Sequence, residues 1–146
     1  MAQIQHFDHV GITVSDLDEA IDFFTSLGLE PKGRQVIEGD FLDTVTGIPG
    51  GRTEIVMLAP PGGGTTVELS SFERPDPVPG SQEAMANELG LRSIAFQVDD
   101  IRAAVDQAAA KGYGLIGGIG EWENAWAMAY VRGPDGITVA LAQRLG

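Results

Sequence analysis

The feature that most constrains the fold is a strand-helix pattern that occurs twice in the 146 residues. Residues 8–14 alternate between polar or small side chains and apolar ones, which is typical of a half-buried strand. A stripe of apolar residues at helical spacing follows over 17–27. Residues 92–98 and 101–108 repeat both parts. The equivalent positions include His9 and Ser93, Val10 and Ile94, Asp16 and Asp100, Ile21 and Val105, and Gly28 and Gly112.

The later strands repeat as well, which predicts an α+β fold of two βαβββ modules. The pairs are Val67 and Val139, Glu68 and Ala140, and Leu69 and Leu141. Residues 73–80 are rich in proline and glycine and are predicted to link the modules, because neither a helix nor a central strand persists there. The predicted organisation is one domain over 1–146, with module 1 at about 5–72 and module 2 at about 81–146.

Two segments are predicted from local composition alone. Residues 41–51 contain several turn-forming residues and are predicted to be a loop. Residues 81–90 are predicted to form one short helix.

Asp16 or Ser15 is expected to cap the first helix, and Gly28 and Gly112 are expected to end the two helices.

Composition excludes several classes of partner. The formal net charge is −12, and such a surface repels phosphate backbones, so nucleic acid is not expected as a partner. No window approaches 18 uninterrupted apolar residues, which argues against a membrane span. Cysteine is absent, and the first residues lack the features of a signal peptide, so we expect a cytoplasmic protein.

The doubled module resembles the vicinal-oxygen-chelate superfamily of glyoxalase, bleomycin-resistance and extradiol-dioxygenase proteins. Three segments carry the resemblance, residues 8–17, 90–101 and 133–141. It implies an open, curved, eight-stranded sheet around a small-molecule cavity, and a homodimer. It also implies a divalent metal held by one residue from each of four strands. The matching positions here are His9, Glu68, Ser93 and Ala140.

Only half of that implied ligand set can coordinate a metal well. His9 and Glu68 match the first two ligands, whereas Ser93 offers a neutral hydroxyl and Ala140 offers no donor. Because catalytic metals usually need about three protein ligands, we expect no cofactor, or at most a weakly bound divalent metal at His9 and Glu68.

Alternation along the strands predicts which side chains face the cavity. Glu68 is expected to point inward, because Val67 and Leu69 suit a face covered by a helix. Asp8 is too close along the strand to share the face of His9. The expected ligand-binding residues are Thr13, Thr66, Ser70, Ser93, Gln97, Trp122, Trp126 and Tyr130. The tryptophans could instead be core or dimer contacts, His9 a hydrogen-bonded core residue, and Glu68 a solvated one.

Three functions remain open from the sequence. The first is a metal-independent enzyme of isomerase, cyclase or lyase type, in which Glu68 is the base and His9 its acid partner or orienter. The second is a non-catalytic protein that sequesters a small organic ligand, as in drug resistance. The third is a metal-dependent lyase, epimerase or dioxygenase whose coordination is completed by water and substrate.

Overall fold

The computed structural model describes residues 2–146, which form two compact units that divide after Val78. The first unit contains β1 (His9–Thr13), α1 (Leu17–Ser26), β2 (Glu30–Glu38), α2 (Asp40–Thr46), β3 (Arg52–Ala59) and β4 (Thr66–Arg74). The second contains β5 (Ile94–Gln97), α3 (Ile101–Ala110), β6 (Gly120–Trp122), β7 (Trp126–Arg132), a 3₁₀ turn (Pro134–Gly136) and β8 (Thr138–Arg144).

The two units have the same topology. Their four-stranded sheets have the orders β1-β4-β3-β2 and β5-β8-β7-β6. In each, the first strand pairs in parallel with the last, and the remaining pairs are antiparallel. The predicted α+β class with two βαβββ modules is therefore confirmed. The eight strands lie in two sheets of four.

Equivalent residues begin and end the long helices of the two units. Asp16 precedes α1 and accepts a hydrogen bond from the Glu19 N–H at 3.0 Å, and Asp100 accepts from the Ala103 N–H at 3.1 Å. These caps satisfy N–H groups that have no partner within the helix. Gly28 and Gly112 follow the helices with φ of 112° and 95°, a conformation that favours glycine. Both predicted start and stop patterns are confirmed.

One face of each sheet is packed against its helix. In the first unit, Leu17, Ala20, Phe23 and Phe24 of α1 are buried, as are Val67 and Leu69 of β4. In the second, Ile101, Ala104 and Ala108 of α3 are buried with Ala129, Val131, Val139 and Leu141. The period of two along these strands means that every intervening side chain projects from the opposite, open face of the sheet.

The prediction of a helix over 81–90 was wrong, and the prediction of a loop over 41–51 was wrong for 41–46. Residues 40–46 form α2, because the turn-forming glycines lie outside that stretch and Asp43 accepts from the N–H groups of Gly50 and Gly51. Residues 81–90 form isolated turns instead of a helix. Met85 and Leu89 are exposed there, so no buried apolar face offsets the cost of starting a short helix. Within residues 2–146, no helix is long and apolar enough to cross a membrane.

Candidate functional site

The open face of the first sheet carries the ionisable residues. Gly11 of β1 pairs with Glu68 of β4, and His9 pairs with Thr66. Val67 and Leu69 are buried on the helix side while Glu68 is only partly covered, which is the orientation expected from alternation. We call the side chains of His9, Thr13, Thr66, Glu68 and Ser70 the ionisable face.

His9 lies between two carboxylates. Its Nδ1 is 2.8 Å from Asp8 Oδ2, and its Nε2 is 3.9 Å from Glu68 Oε2. The alternation along the strand predicts that Asp8 does not share the face of His9, yet its carboxylate contacts the imidazole ring. A carboxylate can only accept, so Nδ1 donates to Asp8 and the neutral ring keeps its lone pair on Nε2. The proton-accepting nitrogen therefore faces Glu68.

This arrangement is accessible to a ligand. The side chains of His9 and Glu68 are 37% and 30% exposed, and the side chain of Asp8 is 77% exposed. The gap of 3.9 Å exceeds a hydrogen bond and leaves both atoms able to contact a third group. Both atoms can therefore accept a proton from one bound molecule and afterwards return it.

Thr53 is a member of this face that alternation along β4 and β1 did not reveal. It lies on β3, is 2% exposed, and its Oγ1 is 2.6 Å from Ser70 Oγ. The hydrogen bond satisfies both hydroxyls and fixes the rotamer of Ser70. Alternation along β3, from Thr53 through Ile55 to Met57, is the pattern that could have identified it.

The open face of the second sheet is aromatic. Trp122 pairs with Trp126, and Tyr130 pairs with Ala140. Trp122, Met128 and Tyr130 are all exposed, whereas the intervening Ala127, Ala129 and Val131 are buried on the helix side. We call Trp122, Trp126, Met128 and Tyr130 the aromatic face. The tryptophans are thus not core residues of the second sheet.

The remaining predicted residues of the second unit lie on or near this face. Gln97 is the last residue of β5 and pairs with Ala142, whereas Ser93 lies just before β5 and is exposed. Ala140 is buried. The structure thus groups His9, Glu68, Thr13, Thr66 and Ser70 on one sheet and Gln97, Trp122, Trp126 and Tyr130 on the other.

A divalent metal does not fit the donors that either unit provides. His9 Nε2 and Glu68 Oε2 are two donors, and the Asp8 carboxylate is turned to the other ring nitrogen. Across residues 2–146, no group of three or more His, Cys, Asp or Glu side chains is placed to hold a metal ion. Catalytic zinc sites usually have three protein ligands, and His9 with Glu68 falls short of such a set.

The sequence and the fold together decide the family. Residues 6–141 match the model of the Glyoxalase/Bleomycin resistance protein/Dioxygenase superfamily. The chain belongs to this superfamily. It is 36% identical to a glyoxalase-family protein from Bacillus cereus, whose crystal structure matches with a TM-score of 0.95 over 99% of this chain and 97% of that one. No protein of curated function matches the sequence significantly.

More distant structures share the fold. An antibiotic-binding protein from a Streptomyces species is 21% identical, with a TM-score of 0.65 over 99% of both chains. A mutant of glyoxalase I from Zea mays is 19% identical, with a TM-score of 0.65 over 93% of this chain and 45% of that chain. Structures with this fold thus include a mutant of an enzyme and an antibiotic-binding protein. At these identities the likeness concerns the fold alone.

Proposed function

We propose that this protein is an enzyme that moves a proton on a small organic molecule without a metal, in isomerase, cyclase or lyase chemistry. The observation that supports it is the row formed by Asp8, His9 and Glu68, with its contacts of 2.8 Å and 3.9 Å on an accessible sheet face. Glu68 and His9 are the proposed catalytic residues, and Asp8 is a positioning residue.

Each side chain has a distinct role in this proposal. Glu68 removes a proton from the carbon next to a carbonyl group and later returns it to the former carbonyl carbon. His9 Nε2 accepts the proton of the neighbouring hydroxyl group and passes it to the former carbonyl oxygen. Asp8 holds the ring so that Nε2 faces the substrate. Positioned general acids and bases contribute rate factors of roughly 10²–10⁴. Thr66 and Ser70, which lie on the same face, are proposed to orient the substrate by hydrogen bonds.

The reaction can be tested by isotope exchange. The protein, dialysed against a chelator, is incubated in deuterium oxide with a panel of ketones, α-hydroxy ketones and 2-oxo acids. Proton NMR then measures loss of the carbon-bound protons. We expect Glu68→Gln to lower the exchange rate about 100-fold or more, and His9→Gln to lower it as well.

Glu54→Gln provides the matched control. Glu54 is on the neighbouring strand β3 of the same sheet, but it forms a salt bridge with Arg34 and takes no part in the ionisable face. Its substitution should leave exchange unchanged. Full exchange in Glu68→Gln, or exchange that disappears when the chelator is present, would reject metal-independent proton transfer by this residue.

A second candidate function is binding without turnover, and the aromatic face favours it. Three large side chains, Trp122, Met128 and Tyr130, remain exposed on one face of the second sheet. Single exposed apolar residues are common, but a contiguous group is typical of a binding surface. If no panel member undergoes exchange while small aromatic molecules bind, sequestration is the better description. A homodimer and a cytoplasmic location remain predictions.

A further inference from the structure

Three residues on adjacent strands of the second sheet form a row of two aromatic rings and a cation. Trp122 of β6 pairs with Trp126 of β7, and Trp126 pairs in turn with Arg144 of β8. The three side chains therefore project from the same face. The guanidinium carbon of Arg144 is 5.8 Å from the ring centroid of Trp126, within the range of a cation–π contact.

The backbone holds this row in place. Glu123 and Asn124 connect β6 to β7 with φ of 49° and 55°, and the Ala125 N–H donates to the Trp122 carbonyl at 2.8 Å. Two successive left-handed residues are typical of the tight hairpin turns whose twist matches that of the strands. The Leu145 N–H also donates to the Ala125 carbonyl at 2.8 Å, so the hairpin is tied to the chain beyond β8. The row is therefore formed before any ligand binds.

Among residues 2–146, Arg144 differs from most basic side chains in forming no salt bridge with an acidic residue. The chain has nine basic residues against 21 acidic ones. Salt bridges with carboxylates are formed by Lys32, Arg34, Arg52, Arg74 and Arg92. Arg144 forms none within residues 2–146, and its guanidinium lies over the Trp126 ring. Its hydrogen-bond donors are thus available to an anion from outside.

Of the acidic residues close to Trp122 along the chain, Glu121 does not lie beside the row. Glu121 of β6 pairs with Ala127, whose side chain is buried on the helix side, so Glu121 lies on the opposite face from the row. Glu123 is in the turn. Aromatic faces attract planar rings by stacking, and a guanidinium binds a carboxylate through two parallel hydrogen bonds. The two requirements together define one class of molecule.

We propose that Trp122, Trp126 and Arg144 form a binding site for planar aromatic carboxylates. The rings stack on the tryptophans and the carboxylate binds the guanidinium, with Met128 as an apolar neighbour. The inference rests on the small-molecule binding proposed above and names its ligand class. It does not depend on proton transfer by Glu68.

Binding can be measured with 2-naphthoate as the probe and 2-naphthamide as its neutral counterpart. The chain has two tryptophans, both in the row, so ¹⁵N–¹H NMR of the two indole N–H groups reports binding directly. We expect saturable shifts of both signals, and an affinity for 2-naphthoate about tenfold or more above that for 2-naphthamide, because a carboxylate gains a charge-assisted contact that an amide lacks.

Three variants test the row. Arg144→Gln should remove the preference and leave both compounds bound with similar, weak affinity. Trp126→Leu should weaken the binding of both compounds about tenfold or more, since both naphthalene rings lose the same stacking surface. Arg102→Gln, which removes an exposed arginine from α3, is the matched control and should change neither affinity by more than about twofold.

The outcomes separate this inference from the proposed reaction. Equal affinities for the two compounds in the unaltered protein would overturn it, and so would a preference that persists in Arg144→Gln. Glu68→Gln should bind 2-naphthoate normally. Normal binding with no isotope exchange for any panel member would reject the reaction and support the ligand class, whereas Glu68-dependent exchange without a preference for 2-naphthoate would do the reverse.

Discussion

The two units share one topology, yet their open faces have different chemistry. The first carries His9 and Glu68 among small hydroxyl residues, and His9 lies between Glu68 and Asp8. The second carries two tryptophans, a tyrosine and a methionine, and Ala140 and Ala142 of β8 stand at the positions of Glu68 and Ser70 in β4. The position of Glu68 in the first unit is occupied by the buried Ala140 in the second.

The helix-covered faces, in contrast, are alike in the two units, because each packs apolar side chains against a helix. Leu69 and Leu141 are both fully buried at equivalent positions of β4 and β8. The detail differs, because α1 buries Phe23 and Phe24, whose rings meet edge to face at 5.0 Å, whereas α3 buries alanines. The fold thus constrains one face of each sheet and leaves the other free to specialise. Four predictions test this division.

The largest effect is expected from equivalent leucines on the covered faces. Leu69→Ala and Leu141→Ala should each lower the free energy of unfolding by about 2–5 kcal/mol, because each removes a fully buried side chain and leaves a cavity. Glu68→Ala, one residue away on the open face, should cost less than about 1 kcal/mol. Urea denaturation followed by circular dichroism measures all three. A Glu68→Ala loss as large as that of Leu69→Ala would contradict the assignment of faces.

Most of the fold could be predicted because its determinants are local and repeated. An aspartate cap, a helical apolar stripe and a stop at glycine each depend on a few neighbouring residues, and both copies agree. The predictions that failed concern segments whose secondary structure depends on tertiary packing. Residues 40–46 form α2 with Leu42 buried, while residues 81–90 find no such cover for Met85 and Leu89.

The second prediction compares the two helix caps. Asp16→Ala should lower the free energy of unfolding by about 1 kcal/mol, because it leaves the Glu19 N–H without its acceptor. Asp100→Ala leaves the Ala103 N–H without its acceptor in the same way. It should cost less, because Gln143 Oε1 accepts from the Ile101 N–H at 2.8 Å and still caps the first turn of α3. In the first unit the neighbouring Ser71 donates to the Ser15 carbonyl instead. Thermal unfolding of both variants, with Asp106→Ala as a mid-helix control, measures the difference; a larger cost at Asp100 would contradict it.

The site was harder to predict than the fold. Alternation assigned His9 and Glu68 to one face, but it could not show that Asp8 reaches back to the imidazole, because an exposed side chain at a strand end is not bound by the period of two. Arg144 was missed for a similar reason. Its role depends on cross-strand register with Trp126, and register is a pairing of distant segments that no single segment specifies.

The third prediction concerns Asp8, which has no counterpart contact on the aromatic face. Asp8→Ala should shift the neutral His9 ring toward the tautomer protonated at Nε2, since the acceptor that holds the Nδ1–H is lost. The ¹⁵N chemical shifts of the His9 ring measure the two populations directly. Asp8→Asn keeps an acceptor oxygen and should retain part of the original preference.

His6→Gln is the control, because His6 Nε2 also lies near Asp8 Oδ1, at 3.8 Å. This substitution should leave the tautomer of His9 unchanged. A His9 ring that is indifferent to Asp8→Ala would remove Asp8 from the proposed site.

The smallest effect is expected from a salt bridge that only the first unit has. Arg34 contacts Asp18 of α1 and Glu54 of β3 at 2.6 Å and 2.8 Å, whereas the position equivalent to Glu54 in the second unit is the buried Ala127. The hydrogen bond from Arg34 lowers the pKa of Glu54 below its ordinary value of 4.5. A lowered pKa in the folded state means that the stabilisation is present above the ordinary value and is lost as the pH falls through the folded one. The midpoint of thermal unfolding should therefore be slightly lower for Glu54→Gln than for the unaltered protein at pH 7, and the difference should vanish in acid.

Glu121→Gln in the second unit is the control, and its midpoint should show no such pH-dependent difference from that of the unaltered protein. A difference that stays constant from pH 7 to strong acid would show that Glu54 acts through packing and not through its charge.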